Sequence, residues 1–133
     1  AGLKRLKLSD RIRHIFDTQQ MLPAAGQGAL GIEICEGRAD LLEALQPLVH
    51  NTSWLAVAAE RAVSRAMGGS CSMPLAAHAT LAGDVLSLRA AWGDPEGSTQ
   101  LVNAAISGAV SSLQDAEALG LQVANDLKRG GAH

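Results

Sequence analysis

Two long segments of this chain repeat apolar side chains with the spacing of an α-helix. Residues 54–67 have four of them at four-residue intervals, namely Leu55, Ala59, Val63 and Met67. Residues 114–129 have a similar line, namely Leu119, Val123 and Leu127. Because side chains four apart lie on one face of a helix, each segment predicts an amphipathic helix with one buried face. The first helix can be capped by Asn51, Thr52 or Ser53.

Between these helices the pattern changes to that of β-strands. Three strands are predicted, at residues 75–82, 85–92 and about 99–107. The dipeptide Gly83-Asp84 is a two-residue hairpin signal between the first two, and a longer turn at residues 93–97 precedes the third. We therefore expect an α+β fold, a three-stranded antiparallel sheet with helices packed on one face.

The first 50 residues have a less regular pattern. Residues 3–16 predict a short basic amphipathic helix or helix pair, and residues 22–28 are a loop by their Pro and Gly content. Residues 29–35 alternate in the manner of a strand. Residues 39–49 have helical spacing, with Pro47 bending or ending the helix.

Composition narrows the classes of function. The chain has 133 residues, 47% of them apolar, which is enough for one domain with a real core. Aromatic side chains are few, with one Phe, two Trp and no Tyr, so the core must be mainly aliphatic and a base-stacking surface is disfavoured. The net charge of −2 gives no general attraction to nucleic acid or to an anionic membrane. No apolar run approaches the roughly 20 residues of a membrane span. We expect neither nucleic acid nor a membrane as a partner.

The chain has two cysteines, Cys35 and Cys71. Without a dense cysteine framework, a reducing, cytoplasmic location is expected. Cys35 ends the alternating run and is predicted to be a buried strand residue. Cys71 lies in the loop MGGSCSMP at residues 67–74, where preceding glycines suit a thiol that must hold a large group. From the loop alone, a small buried side chain at a helix end is the slightly favoured interpretation.

The residue pattern indicates neither a metal site nor a nucleotide-binding site. The histidines have no paired spacing and no CxxC accompanies them, so no metal site is predicted. The string Gly26-Gln27-Gly28 lacks the further residues of a phosphate loop and precedes a strand pattern, which excludes nucleotide binding.

Three strings taken together resemble one family. They are AGLKRL at residues 1–6, LPAAGQGALGIE at 22–33, and AERA at 59–62 followed by GGSCSMPL at 68–75. The chain is similar over essentially its whole length to the porphobilinogen deaminases, or hydroxymethylbilane synthases, which are transferases of porphyrin and heme biosynthesis.

The resemblance implies a specific chemistry for Cys71. Enzymes of this family join four porphobilinogen units into linear hydroxymethylbilane and release ammonia at each step. They hold a dipyrromethane cofactor as a thioether on a loop cysteine, which is Cys71 here. A soft thiolate suits the capture of the electrophile that remains when ammonia leaves. Porphobilinogen and the growing oligopyrrole are thus the implied binding partners.

The resemblance also implies residues that contact this cofactor. Arg5 matches an arginine that binds pyrrole carboxylates, a task for which a guanidinium is suited because it donates two parallel hydrogen bonds. Arg11 is a weaker candidate of the same kind, with a solvated surface charge as its alternative.

The GQG loop provides two further candidates. Gln27 matches a position near the cofactor, and Gly28 permits close approach, although a purely structural hinge is an open alternative. Glu60 and Arg61 of the AERA string are expected to form internal polar contacts.

By the same resemblance, residues 1–37 are the tail of the N-terminal and central domains, with a helix, the GQG loop and a strand. Residues 38–133 are then the C-terminal cofactor-carrying domain. The catalytic Asp of the family lies in the preceding domains, and neither Asp10 nor Asp17 matches it, so no catalytic residue is assigned here. Since the sequence starts at Ala1 without Met, we expect it to be a piece of a longer protein. Because the catalytic Asp lies in the preceding domains, we expect this piece to be inactive without them.

Two alternatives remain from other functional classes. The chain is either this enzyme portion or a non-catalytic truncated fragment or interaction module. A redox-active thiol protein that uses Cys71 is a third and weaker interpretation.

Overall fold

Four α-helices and three β-strands form the regular structure in a computed structural model that describes residues 2–70, 72–94, 96–97 and 100–133. In chain order they are α1 (Gly2–Arg5), α2 (Ala39–Leu45), α3 (Asn51–Ala66), β1 (Leu75–Ala82), β2 (Val85–Trp92), β3 (Val102–Ala109) and α4 (Leu113–Arg129). Single 3-10 turns lie at Ser9–Arg11 and Gln46–Leu48. As expected, α2 ends just before Pro47.

The strands form one antiparallel sheet in the order β1-β2-β3. Ala82 pairs with Val85 across the Gly83-Asp84 turn, where Gly83 has a φ of 63° that favours glycine. The α+β fold with a three-stranded antiparallel sheet is therefore confirmed. The third strand begins at Val102, where it pairs with Trp92, and so lies slightly later in the chain than predicted.

One face of the sheet packs against α3 and α4. Alternate residues of β2, ending in Trp92, form the centre of this core together with Val63 of α3 and with Val123 and Leu127 of α4. Trp92 is the largest fully buried side chain, and the rest of the core is aliphatic. The opposite face is more exposed, for example at Ser87 and Ser107, whose hydroxyl oxygens are 2.9 Å apart. Helices on one face of the sheet are thus confirmed.

The two long helices are capped by side chains at their N-termini, and the cap of α3 differs from the predicted one. His50, rather than Asn51, Thr52 or Ser53, is the N-cap of α3, and its side chain accepts a hydrogen bond from the Ser53 N–H. Helix α4 begins after Ser112, whose hydroxyl and the Asp115 carboxylate form a reciprocal capping box.

The predicted strand at residues 29–35 is wrong, because that segment forms no regular structure. A strand needs a neighbour to satisfy its backbone groups, and none of the three strands in the described part of the chain lies beside it. Leu30 is 89% exposed as a result. Cys35, predicted to be buried in that strand, is an exposed free thiol.

The helix predicted over residues 3–16 is also shorter than expected. It is limited to α1 and the turn at Ser9–Arg11, and Leu6, Ile15 and Phe16 are exposed. Short helices are marginal unless a packed face supports them, and these apolar side chains have little packing within the chain. The division between residues 37 and 38 stays a prediction.

Candidate functional site

The loop between α3 and β1 contains the predicted attachment residue. Cys71 itself lies outside the described residues, so its role stays a prediction. Gly68 and Gly69 before it have φ angles of 108° and 63°, and Gly68, Gly69, Ser70 and Ser72 are all exposed. A methyl group built on Gly69 would meet no atom within 4 Å, so there is open space beside the loop.

Both ends of this loop are fixed to the core. The Gly69 N–H donates to the Ser64 carbonyl at 2.8 Å, which ties the start of the loop to α3. At the other end, the Gly93 N–H donates to the Pro74 carbonyl at 2.9 Å. Met67 is buried just before the loop. The loop therefore extends from a rigid base formed by the end of α3 and the adjoining ends of β1 and β2.

The GQG loop forms a tight turn closed by Gln27. The Gln27 N–H donates to the Ala24 carbonyl at 3.1 Å, and the Gln27 side-chain oxygen accepts from the Ala24 N–H at 3.2 Å. Gly26 and Gly28 have φ angles of 73° and 86°, which favour glycine. The loop is therefore an internally hydrogen-bonded turn, and a cofactor contact by Gln27 or Gly28 stays a prediction.

A buried carboxylate fixes this turn to the rest of the protein. Glu60 of α3 is only 5% exposed. One of its carboxylate oxygens accepts from the Gly26 N–H at 2.7 Å, and the other accepts from the Ala79 N–H in β1, also at 2.7 Å. Internal polar contacts are thus confirmed for Glu60, whereas Arg61 is exposed.

The same loop covers the free edge of β1. Ala77 donates its backbone N–H to the Pro23 carbonyl at 3.0 Å, next to the Glu60 contact with Ala79. Two outward N–H groups of this edge strand are therefore occupied, and this blocks strand addition there.

Arg5 and Arg11, the predicted carboxylate-binding residues, are both exposed in the basic N-terminal segment. In residues 2–13 five cationic side chains accompany the single acidic Asp10. No hydrogen bond or ion pair of the described residues joins either arginine to the GQG loop or to the loop after α3. Their guanidinium groups are available to an anion, and that role stays a prediction.

Sequence reasoning missed Arg89, which lies in β2. Its guanidinium donates to the Gln19 side-chain oxygen at 2.7 Å and approaches the Thr18 carbonyl at 3.5 Å. The one available signal was a single charged residue in the strand. This contact joins the sheet to the segment before the GQG loop.

Two kinds of site are not found in the part of the chain that the structure describes. No group of three or more His, Cys, Asp or Glu side chains there could hold a metal ion. None of the helices described is both long and apolar enough to cross a membrane.

Two family models match this chain. Residues 54–129 match the model described as "Porphobilinogen deaminase, C-terminal domain", and residues 1–43 match "Porphobilinogen deaminase, dipyromethane cofactor binding domain". The second range contains Arg5, Arg11, Gln27 and Gly28.

Curated relatives match almost the whole chain. A protein named porphobilinogen deaminase from Albidiferax ferrireducens is 66% identical over 128 residues, which are 96% of this chain and 41% of that protein. Proteins of the same name from Burkholderia thailandensis and Paraburkholderia phytofirmans are 54% and 52% identical over 132 residues, which are 99% of this chain and 40% and 38% of those proteins. The chain thus spans about two-fifths of the length of these relatives.

Proposed function

Because this chain belongs to the porphobilinogen deaminase family, we propose that it is the C-terminal portion of an enzyme that condenses four porphobilinogen units into hydroxymethylbilane and releases ammonia. The observation that supports this most is the open, glycine-flanked loop after α3, because it lies within the range that matches the C-terminal domain model. We expect the complete activity only in a protein as long as the relatives of this chain.

In this proposal Cys71 holds a dipyrromethane cofactor through a thioether. When bound, the cofactor supplies two linked pyrrole rings to which further units are added. The residues at the two ends of the loop are tied to the core by hydrogen bonds, while Gly68 and Gly69 leave room for a chain that lengthens. Since thioether formation needs a reduced thiol, a reducing cytoplasmic location is part of the proposal.

Arg5 and Arg11 bind carboxylate groups of the cofactor or of the growing chain. A guanidinium donates two parallel hydrogen bonds to a carboxylate, and both side chains are exposed in a segment of net positive charge. The side-chain oxygen of Gln27 already accepts from Ala24, so its amide nitrogen remains to donate to a ligand. Next to it Gly28 allows close approach, because a methyl group built there would meet no atom within 4 Å.

The protein partner in this proposal is the remainder of the same enzyme. We assign no catalytic residue to the present sequence and place the proton-transferring groups in the preceding domains. Large apolar side chains near the start of the chain are exposed and would be covered by those domains, namely Leu6, Ile15, Phe16, Leu30 and Ile32. The chain alone is therefore expected to be inactive. Nucleic acid and membranes are not among its partners.

A chimeric enzyme tests this proposal. The matching portion of the Albidiferax ferrireducens relative would be replaced by this chain, and the rate of hydroxymethylbilane formation would be measured. We expect activity in the chimera and in its Cys35→Ser variant, but none in Cys71→Ser. Cys35 is a suitable control because it is an exposed free thiol outside the loop. A folded chimera without activity would favour the non-catalytic module instead.

A further inference from the structure

We propose that Glu60 is a positioning residue that sets the GQG loop at a fixed place relative to the Cys71 loop. This inference rests on the proposed function, since it gives a role to loops that the function assigns to ligand binding. The buried carboxylate joins three separate elements, because α3 provides the side chain while the GQG loop and β1 provide the two N–H groups.

The chemistry of this contact requires a carboxylate. The N–H groups of Gly26 and Ala79 are both donors and cannot bond to each other, so an acceptor must lie between them, and each is met by a different oxygen of Glu60. Glutamine has nearly the same shape but only one oxygen, and its NH₂ group would face the second donor. Burying a charge is costly unless it is fully hydrogen-bonded, and here both oxygens of Glu60 are used.

The contact at Gly26 determines the position of Gln27. Gly26 is the preceding residue in the chain, and its carbonyl accepts from the Ala29 N–H at 3.1 Å within the same turn. On its other side, Val57 of α3 would lie 3.8 Å from a methyl group built on Gly26. The turn is therefore held against α3 by the hydrogen bond from the Gly26 N–H to Glu60 and lies close to Val57.

The same helix leads directly to the attachment loop. Glu60 lies six residues before Ala66, the last residue of α3, a rise of about 9 Å at 1.5 Å per residue. One continuous helix thus fixes the spacing between the loop that contains Gln27 and the loop that contains Cys71. A ligand held by both loops would need that spacing to be constant.

Amide hydrogen exchange on the chain tests the geometry. In Glu60→Gln we expect exchange at Gly26 and Ala79 to rise about ten- to a hundredfold, the effect of losing a hydrogen bond to a charged group. The amides of α4 should stay protected. Glu117→Gln is the matched control, since this exposed carboxylate pairs with Arg65 at the surface. Unchanged exchange at Gly26 in Glu60→Gln would overturn the proposal.

Steady-state kinetics of the chimera test the role of the contact. We expect Glu60→Gln to raise the KM for porphobilinogen about tenfold or more while Cys71 remains loaded, and Glu60→Asp, which keeps the charge on a shorter arm, to give a smaller rise. A reduced amount of folded enzyme with unchanged KM would mean a purely structural role and would contradict the inference. If Glu60→Gln does not fold, the test rests on Glu60→Asp. A KM and a Gly26 exchange rate equal to those of the wild type in Glu60→Asp would then contradict the inference. Failure of the unsubstituted chimera to load Cys71 would instead count against the proposed function and leave the exchange result intact.

Discussion

Gly120 of α4 lies against Ala59 of α3, so closely that a methyl group built on Gly120 would be 2.4 Å from the Ala59 carbonyl oxygen. The same methyl group would be 2.6 Å from the Cβ of Ala62. Neither atom belongs to a flexible side chain, so the two helix backbones are in direct contact here. This close approach sets the position of α4 on the helix that also provides Glu60.

Substitution of this glycine should therefore destabilise the protein. For Gly120→Ala we expect a net loss of about 2 kcal/mol, because overpacking of roughly 3 kcal/mol outweighs a gain of about 1 kcal/mol in helix propensity. Urea unfolding followed by circular dichroism measures the change. Gly31→Ala is the control, since a methyl group there would meet no atom within 4 Å. Equal stability of the two variants would show that the helices can separate freely.

The N-cap of α4 gives a second prediction. Ser112 accepts a hydrogen bond from the Asp115 N–H at 3.1 Å, so Ser112→Ala should lower the free energy of unfolding by about 1 kcal/mol. The control is Ser9→Ala, which alters an exposed serine far from α4 and should have almost no effect. The measurement is again urea unfolding at neutral pH, and a cap variant as stable as the control would rule out this capping role.

Asp115 makes part of the stability depend on pH. The Ser111 backbone N–H, followed by the Ser111 and Ser112 hydroxyl groups, lowers the pKa of Asp115 below its ordinary value. A lowered pKa in the folded state means that the carboxylate stabilises the protein above its unfolded pKa of about 3.9, and that this contribution is lost as the pH falls through the folded pKa. Asp115→Asn should therefore be less stable than wild type at neutral pH and equal to it at strongly acidic pH. A deficit that is the same at both pH values would contradict this.

Truncating a buried apolar side chain at the centre of the sheet is expected to cause the largest loss of stability. Leu88 of β2 is fully buried between the helices and the sheet, so Leu88→Ala should cost about 3 kcal/mol through lost burial and a residual cavity. Leu121 of α4 is 51% exposed, and Leu121→Ala should cost under about 1 kcal/mol. Thermal unfolding of both variants checks the contrast. Comparable losses of stability in the two variants would contradict the burial of Leu88 in the core.

The second half of the fold could be predicted from sequence because each element finds its partner within the chain. The four-residue spacing around Val63 and the turn at Gly83-Asp84 are local signals, and the sheet and helices complete one another. The segment 29–35 shows the converse, since its alternating pattern is equally clear but no described strand lies beside it. Local pattern specifies a strand only where a neighbour is present.

Long-range contacts to backbone groups could not be predicted. Glu60 was expected to make internal contacts, but every residue except proline has the N–H that Gly26 and Ala79 provide. No sequence signal distinguishes those two donors, which lie 34 residues before Glu60 and 19 residues after it. The contact of Arg89 with Gln19 could not be predicted for the same reason, because 70 residues separate the two in the chain.

Peptide mass mapping of the chimera tests most directly whether the chain holds its cofactor at Cys71. The purified protein would be treated with an alkylating reagent and digested, and the peptides that contain Cys35 and Cys71 would be compared. We predict that the Cys71 peptide bears two pyrrole units and escapes alkylation, while the Cys35 peptide is alkylated and bears none. Alkylation of both thiols, in a sample where the parent enzyme from Albidiferax ferrireducens is fully loaded, would contradict the account.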